Sequence, residues 1–234
     1  MRIDGRALDE LRSVKFTPDF TKFAEGSCLV EMGDTVVLCN ASVEEKLPPH
    51  VRSGGWITAE YSMLPRANRE RSKRDISKLK LNGRSAEIQR LIGRSLRSAV
   101  DLSAMEGVSI VVDCDVLQGD GGTRTASVTG GFVALVIALR KLVAAGKLEK
   151  LPVSTFVAGI VDNVPMLDLR YQEDSRAMVD LNCVMTAEGG IIELQGTGEG
   201  RPFTMEEQKE LIALCRKGIG ELTARQKALL GELV

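Results

Sequence analysis

A glycine-rich stretch followed by an arginine is the first part of the sequence that could do chemistry. The segment DVLQGDGGTRTAS, residues 115–127, holds glycines and polar donors at Gly119, Gly121, Gly122, Thr123 and Arg124. A helix N-terminus offers unpaired backbone N–H groups and about half a positive charge, and a guanidinium matches phosphate oxygens. The pattern predicts an anion site, although the glycines could instead only build a tight turn, with Arg124 pointing into solvent. The spacing excludes a Walker A loop.

Carboxylates are grouped in the segment LDLRYQEDSRAMVDLN, residues 167–182. Its centre is turn-like, and apolar alternation resumes at Val179, which puts Asp180 on the opposite side of a strand. A hairpin that turns near Asp174 would return Asp180 close to Asp168. Clustered carboxylates can hold Mg²⁺ through one or two oxygens or supply a general acid. Alternatively, these acids only cap a hairpin, and Asp180 faces solvent.

Positive charge is concentrated between residues 66 and 80, in a chain whose formal net charge is −1. The charged residues there are Arg66, Arg69, Arg71, Lys73, Arg74, Lys78 and Lys80, against Glu70 and Asp75. Such a loop attracts a polyanion through phosphate contacts that do not depend on sequence. Aromatic residues are not interleaved, so base stacking is not expected to lead recognition in this loop. The alternative is a solvated loop whose charges act only locally.

Hydrophobic periodicity predicts the elements that position these residues. Two β-rich runs within residues 27–43 surround Gly33-Asp34 and predict a hairpin with a type II′ turn. Further strands are predicted at 56–64, 109–117, 154–162, 164–171, 177–185 and 190–195. Helices are predicted at 85–101, from the glycine loop to about Val143, and from Thr204, where Glu207 completes a capping box.

The order of these elements favours an α+β protein with helices packed on mostly antiparallel sheets. Because no linker or low-complexity tract interrupts the chain, residues 1–234 are interpreted as one domain. Each half looks like a strand cluster closed by a helix, which hints at an internal duplication.

Bulk composition excludes several classes of protein. With 44% hydrophobic and 27% charged residues, the chain is typical of soluble globular proteins, and nucleic-acid binding would need a local patch. The segment MRIDGRALDELRSV has no apolar core of a signal peptide, and no run approaches the roughly 18 apolar residues of a membrane span. We therefore expect a cytoplasmic protein, with no membrane partner and with its five cysteines as free thiols.

Two further kinds of site lack support in the sequence. His50, the only histidine, gives no support to a Ser–His–Asp triad, and GTGEG at 196–200 has too few of the required residues for a dinucleotide fingerprint.

Seven segments together resemble the ribonuclease PH family of bacteria, in collinear order over essentially the whole chain. They are RIDGRALDELR, NASVEE, GWITAEYSMLPRA, NGRSAEIQRLIGRSLR, DCDVLQGDGGTRTAS, LDLRYQEDSRAMVDLN and ELQGTGEG. The resemblance implies a phosphate-dependent 3′→5′ exoribonuclease, or tRNA nucleotidyltransferase, that trims tRNA precursors, releases nucleoside diphosphates and can run backwards. It also implies duplicated strand-cluster-plus-helix units in a ribosomal protein S5 domain 2-like fold, and a hexameric ring built as a trimer of dimers.

The resemblance further implies roles for particular residues, with inorganic phosphate as co-substrate. Phosphate would be bound by Arg84, Gly122, Thr123 and Arg124. Catalysis and Mg²⁺ binding would fall to Asp174 and Asp180, and RNA would be guided by Arg66, Arg69, Arg71 and Arg74. The chain departs from related polynucleotide phosphorylases at Asn182, where those proteins have a lysine, and its RSGGW loop is shorter than is usual in the family. Two alternatives stay open: a non-catalytic RNA-binding ring subunit and a hydrolytic, metal-dependent nuclease.

Overall fold

Strands and helices alternate along the chain in the predicted order. The computed structural model describes residues 2–74, 82–162 and 166–233. The strands are β1 (Val14–Pro18), β2 (Gly26–Met32), β3 (Thr35–Glu44), β4 (Trp56–Met63), β5 (Ser109–Gln118), β6 (Val157–Asp162), β7 (Asp180–Thr186) and β8 (Ile191–Thr197). The helices are α1 (Gly83–Arg97), α2 (Thr123–Ala144), α3 (Tyr171–Asp174) and α4 (Met205–Leu230).

The strands form two sheets. One has the order β1-β2-β3-β5-β4 and the other has the order β6-β7-β8. All pairs are antiparallel except β4 with β5, which run parallel. The prediction of an α+β protein with mostly antiparallel sheets is confirmed. The short edge strand β1 was not predicted, although its V-K-F-T alternation is visible in the sequence.

Helix α2 is the centre of the core. Its side chains are buried on nearly every side, and it contacts strands of both sheets as well as α1 and α4. By length and composition α2 could cross a membrane, so the prediction that no run comes near that threshold is wrong. Its burial between the sheets identifies it as a core helix. All five cysteines are buried in this core as thiols without disulfide bonds, as predicted.

Local signals placed most helix ends correctly. The Thr204 hydroxyl accepts a hydrogen bond from the N–H of Glu207, and the Glu207 carboxylate accepts one from the N–H of Thr204, which is the predicted capping box. Helix α1, however, ends at Arg97 rather than at residue 101. Val100 forms a β-bridge with Val153, and this long-range pairing draws the chain out of the helix.

The strand predicted at 164–171 is absent from the part of it that the structure describes, residues 166–171. Asp168 has a left-handed backbone, with φ of 53°, and the N–H groups of Leu167 and Leu169 bond to Leu8 and Val161 rather than to a ladder. The chain then forms the short helix α3, and β7 pairs directly with β6. The predicted return of Asp180 beside Asp168 through a hairpin is therefore wrong.

Buried arginines from the N-terminal segment hold the acidic segment in place. The Arg12 guanidinium donates from Nε and Nη2 to the Asp168 carboxylate at 3.1 and 2.6 Å, and from Nη1 to the backbone carbonyl of Asp120 at 2.6 Å. Arg2 donates to both carboxylate oxygens of Glu173, at 2.9 and 2.5 Å. The contacts of Arg12 connect the glycine loop to the segment that leads into α3.

The charge state of Glu173 follows from the same packing. Burial works to raise the pKa of this carboxyl, but hydrogen bonds from Arg2 and from the N–H of Arg170 outweigh burial and leave its pKa below the usual value. Because the pKa of Glu173 is lower in the folded state than in the unfolded state, its ionised carboxylate stabilises the fold at pH values above the usual carboxyl pKa. That stability is lost as pH falls through the lowered value.

We expect Asp168→Asn to lower the free energy of unfolding by about 3–5 kcal/mol, because it leaves the buried Arg12 guanidinium without its counter-charge. Urea unfolding followed by circular dichroism measures the change. The matched control is Asp9→Asn, which removes the same charge from the exposed Lys217–Asp9 pair and should cost little. Equal losses for the two variants would contradict the assigned importance of the buried pair.

Candidate active site

The N-terminus of α2 is built by two glycines with left-handed backbones. Gly121 has φ of 83° and Gly122, the N-cap residue, has φ of 66°. Such angles favour glycine because a side chain would meet its own backbone. No side chain caps this helix end, so the N–H groups of its first turn are available to an anion.

The space that Gly121 leaves is filled by protein. A Cβ on this residue would lie 2.5 Å from the carbonyl oxygen of Leu169 and 3.0 Å from the backbone nitrogen of Tyr171. The glycine therefore lets the loop pack directly on the backbone of the acidic segment. At Gly121, therefore, the structure favours the alternative that the glycine serves a tight turn, rather than a direct role in binding an anion.

The alternative interpretation of the glycine loop also has Arg124 pointing into solvent, and the structure shows that it does not. Its side chain is 13% exposed and makes an ion pair with Glu87 at 3.3 Å. Its Nη1 also donates to Oε1 of Gln195 at 2.6 Å. A residue of α1 and a residue of β8 thus fix the guanidinium beside the open end of α2.

Asp180 lies close enough to Asp174 for its charge to affect the protonation of Asp174. Burial raises the pKa of Asp174, the charge of Asp180 raises it further, and the charges of Arg84 and Arg124 oppose the rise. Burial and then the charge of Glu199 raise the pKa of Asp180, while Arg124 again acts in the opposite direction. The charge of Arg124 therefore acts on both predicted carboxyls and the charge of Arg84 acts on Asp174, so these four residues lie in one region.

The Asp180 carboxylate is only partly satisfied by the protein. Its Oδ2 accepts a hydrogen bond from Nδ2 of Asn182 at 3.2 Å, whereas its buried Oδ1 has no partner among the described residues. The residue that replaces the lysine of the polynucleotide phosphorylases thus orients this carboxylate.

The carboxylate pair suits a magnesium ion held partly by substrate. The described residues contain no cluster of three or more histidine, cysteine, aspartate or glutamate side chains placed to hold a metal. Mg²⁺ commonly binds through one or two carboxylates and completes its shell with water and phosphate oxygens. The orphaned Oδ1 of Asp180 and the raised pKa values of both acids fit a cation of that kind.

Arg84 approaches the carboxylate pair from the start of α1. Its N–H donates to Oδ1 of the N-cap residue Asn82 at 3.1 Å, and its side chain is exposed. Burial raises the pKa of Tyr61, and the charges of Arg84 and Arg124 both oppose that rise. The two arginines therefore converge on Tyr61 as well as on Asp174.

Sequence reasoning missed several residues that shape this site. Tyr61 forms a 2.8 Å hydrogen bond with the Thr123 hydroxyl, which ties β4 to the first residue of α2. Glu199 acts on both aspartates, although its segment GTGEG was considered only as a dinucleotide motif and as part of a family segment, with no role for Glu199. The pairing of Asp180 with Thr197 in β8 brings that loop to the carboxylates, and this long-range register is not visible in the sequence.

The basic segment begins directly beside the glycine loop. The N–H of Gly119 donates to the carbonyl of Ala67 at 2.8 Å, and Ala67 itself is buried. The predicted RNA-binding arginines are all exposed around this anchor: Arg66, Arg69, Arg71 and Arg74. Lys78 and Lys80 lie outside the described residues.

Comparisons with known proteins agree with this geometry. The model of the 3′ exoribonuclease family, domain 1, matches residues 10–141, and the model of domain 2 matches residues 152–218. The chain therefore belongs to the 3′ exoribonuclease family named RNase PH. The interpretation of the chain as one domain, and the internal duplication, stay predictions.

Three solved structures with the same fold, two of them of archaeal exosomes, are similar to this chain. A chain of the Archaeoglobus fulgidus exosome with RNA bound to the active site is 26% identical, with a TM-score of 0.82, and the match covers 96% of this chain and 92% of that one. A chain of an archaeal exosome core is 24% identical, with a TM-score of 0.77 and coverage of 97% and 91%. Rice (Oryza sativa) Rrp46 is 17% identical, with a TM-score of 0.76 and coverage of 98% of both chains.

We expect a triple variant of the basic segment, Arg69→Gln with Arg71→Gln and Arg74→Gln, to flatten the salt dependence of RNA affinity. On a single strand, the slope of log K against log salt should fall by about 0.7 for each phosphate that the variant no longer neutralises. Fluorescence anisotropy with a labelled RNA oligonucleotide at several salt concentrations gives the slope.

A charge-matched control carries three substitutions on α4: Lys209→Gln, Arg216→Gln and Arg225→Gln. These residues are also exposed, so this variant tests whether net charge alone sets the slope. If both triple variants change the slope equally, the arginines of the basic segment make no special contact with RNA.

Proposed function

We propose that this protein is a phosphate-dependent 3′→5′ exoribonuclease of the kind found in bacterial ribonuclease PH, trimming the 3′ ends of tRNA precursors and releasing nucleoside diphosphates. The observation that carries the proposal is the position of Arg124. Its charge opposes the rise in pKa of both Asp174 and Asp180, and it lies at a helix end that no side chain caps. An anion-binding group and an acidic pair at one place are what attack by phosphate on a phosphodiester requires.

The arginines and the helix end would bind and orient inorganic phosphate. In water this ion is a poor nucleophile because its charge is hydrated. Arg84, Arg124 and the N–H groups that follow Gly122 replace that hydration with fixed donors, and they hold one oxygen in line with the last phosphodiester. Thr123 lies at the same helix end, and its hydroxyl is oriented by Tyr61.

The reaction exchanges one phosphorus–oxygen bond for another. A phosphate oxygen bonds to the phosphorus of the terminal phosphodiester, and the bond from that phosphorus to the 3′ oxygen of the preceding nucleotide breaks. The products are a nucleoside diphosphate and an RNA shortened by one nucleotide. Because the two bonds are similar in energy, the ratio of phosphate to diphosphate sets the direction, and the reverse reaction extends RNA 3′ ends.

The carboxylate pair would manage charge and protons at the leaving 3′ oxygen. Burial brings the pKa of each acid nearer to neutral pH than that of an ordinary carboxyl, which suits one of them to donating a proton to the leaving oxygen. Asp180, together with Asp174, would hold Mg²⁺, which supplies positive charge to the phosphate oxygens. The hydrogen bond from Asn182 favours the ionised form of Asp180.

RNA would reach this centre along the basic segment, whose anchor at Ala67 lies on the glycine loop. The Archaeoglobus fulgidus exosome, whose structure has RNA bound to the active site, supports RNA as the substrate here. We also propose a homo-hexameric ring, as in bacterial ribonuclease PH.

A non-catalytic ring subunit is the second candidate function, favoured by the likeness of the fold to exosome proteins. The arginines and carboxylates that meet at one site favour the enzyme.

Product analysis tests the proposed function directly. The purified protein is incubated with Mg²⁺ and a tRNA precursor bearing extra 3′ nucleotides, with and without inorganic phosphate, and the released nucleotides are separated by anion-exchange chromatography. We expect nucleoside diphosphates that appear only with phosphate. Monophosphates would indicate a hydrolytic nuclease, and no release of nucleotides would indicate a scaffold subunit.

In the same assay, Asp180→Asn should abolish release while RNA affinity and the oligomeric state stay unchanged. The matched control is Asp113→Asn on β5, a half-buried aspartate whose pKa is also raised, by burial and by Glu60 and Asp115. This control should keep its activity. An Asp180→Asn enzyme with most of its rate would remove Asp180 from the chemistry.

Arg124→Ala should lower kcat/KM for phosphate roughly 10- to 100-fold, the effect of losing charged hydrogen bonds worth about 1.5–3 kcal/mol. The Kd for RNA, measured without phosphate, should stay within about a factor of two. Arg94→Ala is the control, since Arg94 is an exposed arginine of α1 that pairs with Glu193 at 2.7 Å. A loss of RNA binding with unchanged phosphate dependence would contradict the assignment.

A further inference from the structure

The two tyrosines of the chain have opposite environments beside the candidate site. Tyr61 is buried, and its hydroxyl bonds to Thr123. Tyr171 is 52% exposed, and no hydrogen bond or ring contact of its side chain is seen among the described residues. A large aromatic ring exposed at the edge of a reaction centre offers a flat apolar surface to a ligand.

Helix α3 places this ring on the side of Asp174. Glu173 is buried and turned inward to Arg2, which fixes the rotation of this short helix. Residues three apart lie on the same face of a helix, so Tyr171 and Asp174 lie together on a side away from Glu173. The side chains of Tyr171 and Asp174 therefore leave this helix on the same side.

The backbone of Tyr171 also packs against the glycine loop. Its nitrogen lies 3.0 Å from the position that a Cβ on Gly121 would occupy. Tyr171 thus lies at the junction of the anion-binding loop and the acidic segment. Met178 is another exposed apolar residue of the same segment, at 49%, and its carbonyl accepts a hydrogen bond from the N–H of Gly200 at 3.0 Å.

We propose that Tyr171 is the stacking surface for the base of the 3′-terminal nucleotide of the RNA substrate. This inference rests on the proposed function, because it takes the reacting phosphodiester to lie at Asp174 and Asp180. The base of the terminal nucleotide is then within reach of a ring that leaves α3 on the same side as Asp174. Stacking on an aromatic ring tolerates every base, since each base has a π-face, and this tolerance suits an enzyme that removes successive nucleotides of any identity.

The test is a cycle that varies the ring and the base independently. Wild type, Tyr171→Phe and Tyr171→Leu are each titrated, without phosphate, against a labelled RNA oligonucleotide and against the same RNA with an abasic 3′-terminal nucleotide. Wild type should bind the intact RNA about 5- to 100-fold more tightly, the range for one base on an aromatic ring. Tyr171→Phe should retain this preference, because the hydroxyl takes no part, and Tyr171→Leu should abolish it.

Further readouts separate stacking from other roles. An RNA that is abasic at the penultimate position should lose the same affinity in all three proteins, and the KM for phosphate should stay unchanged in Tyr171→Leu. Equal weakening of intact and abasic RNA by Tyr171→Leu would overturn the proposal, as would a preference that Tyr171→Leu retains. Size-exclusion chromatography must show an unchanged oligomeric state, and a variant that dissociates would make Tyr171 a contact between copies of the chain instead.

The outcome is distinguishable from a failure of the proposed function. If nucleoside diphosphates are released but the cycle shows no coupling between ring and base, only the role of Tyr171 is wrong. If the cycle shows coupling while the products are monophosphates, the base-binding surface stands, and the phosphorolytic function is wrong.

Discussion

A single buried guanidinium joins the two halves of the candidate site. Arg12 bonds to the Asp168 carboxylate through two nitrogens and to the Asp120 carbonyl through a third. The bonds to Asp168 hold the segment that leads to Asp174, and the bond to Asp120 holds the loop that opens α2. Burying a charged pair costs solvation that its attraction barely returns, so its effect is better understood as fixing one geometry than as adding stability. This pair acts together with the packing of Gly121 on the backbone of Leu169 and Tyr171, which also holds the loop against the acidic segment.

The charges at the site balance in a way that suits a polyanionic substrate. Burial raises the pKa of both carboxyls, while Arg124 opposes the rise at both and Arg84 opposes it at Asp174. A site of this composition can accept a phosphate at the arginines and a proton or cation at the acids, without a large net charge. Glu87 adds a further restraint, because its ion pair with Arg124 must be weakened or shared when an anion binds. On binding, Arg124 would thus exchange a partner within the protein for an oxygen of the substrate, and its charge is not left unpaired before the substrate arrives.

The sequence predicted those features that depend on near neighbours in the chain. The capping box at Thr204 was predictable because it is encoded within four residues. The strand expected at 164–171 failed because its alternation was overruled by a distant partner, Arg12. Spacing alone left Asp180 compatible with a solvent-facing role, and only the collinear family motifs singled it out. Tyr171 was not predicted as a site residue, because its residue type alone does not indicate a role. Its exposure and its place at the site depend on how the acidic segment packs.

The central claim is that one inorganic oxyanion is held between the N-terminus of α2 and the side chains of Arg84 and Arg124. A crystal structure of the protein soaked in phosphate tests it most directly. We expect a tetrahedral anion within hydrogen-bond distance of both guanidinium groups and of N–H groups in the first turn of α2. The central claim is contradicted if, at saturating phosphate, Arg124 still bonds only to Gln195 and Glu87 and no anion lies between the two arginines.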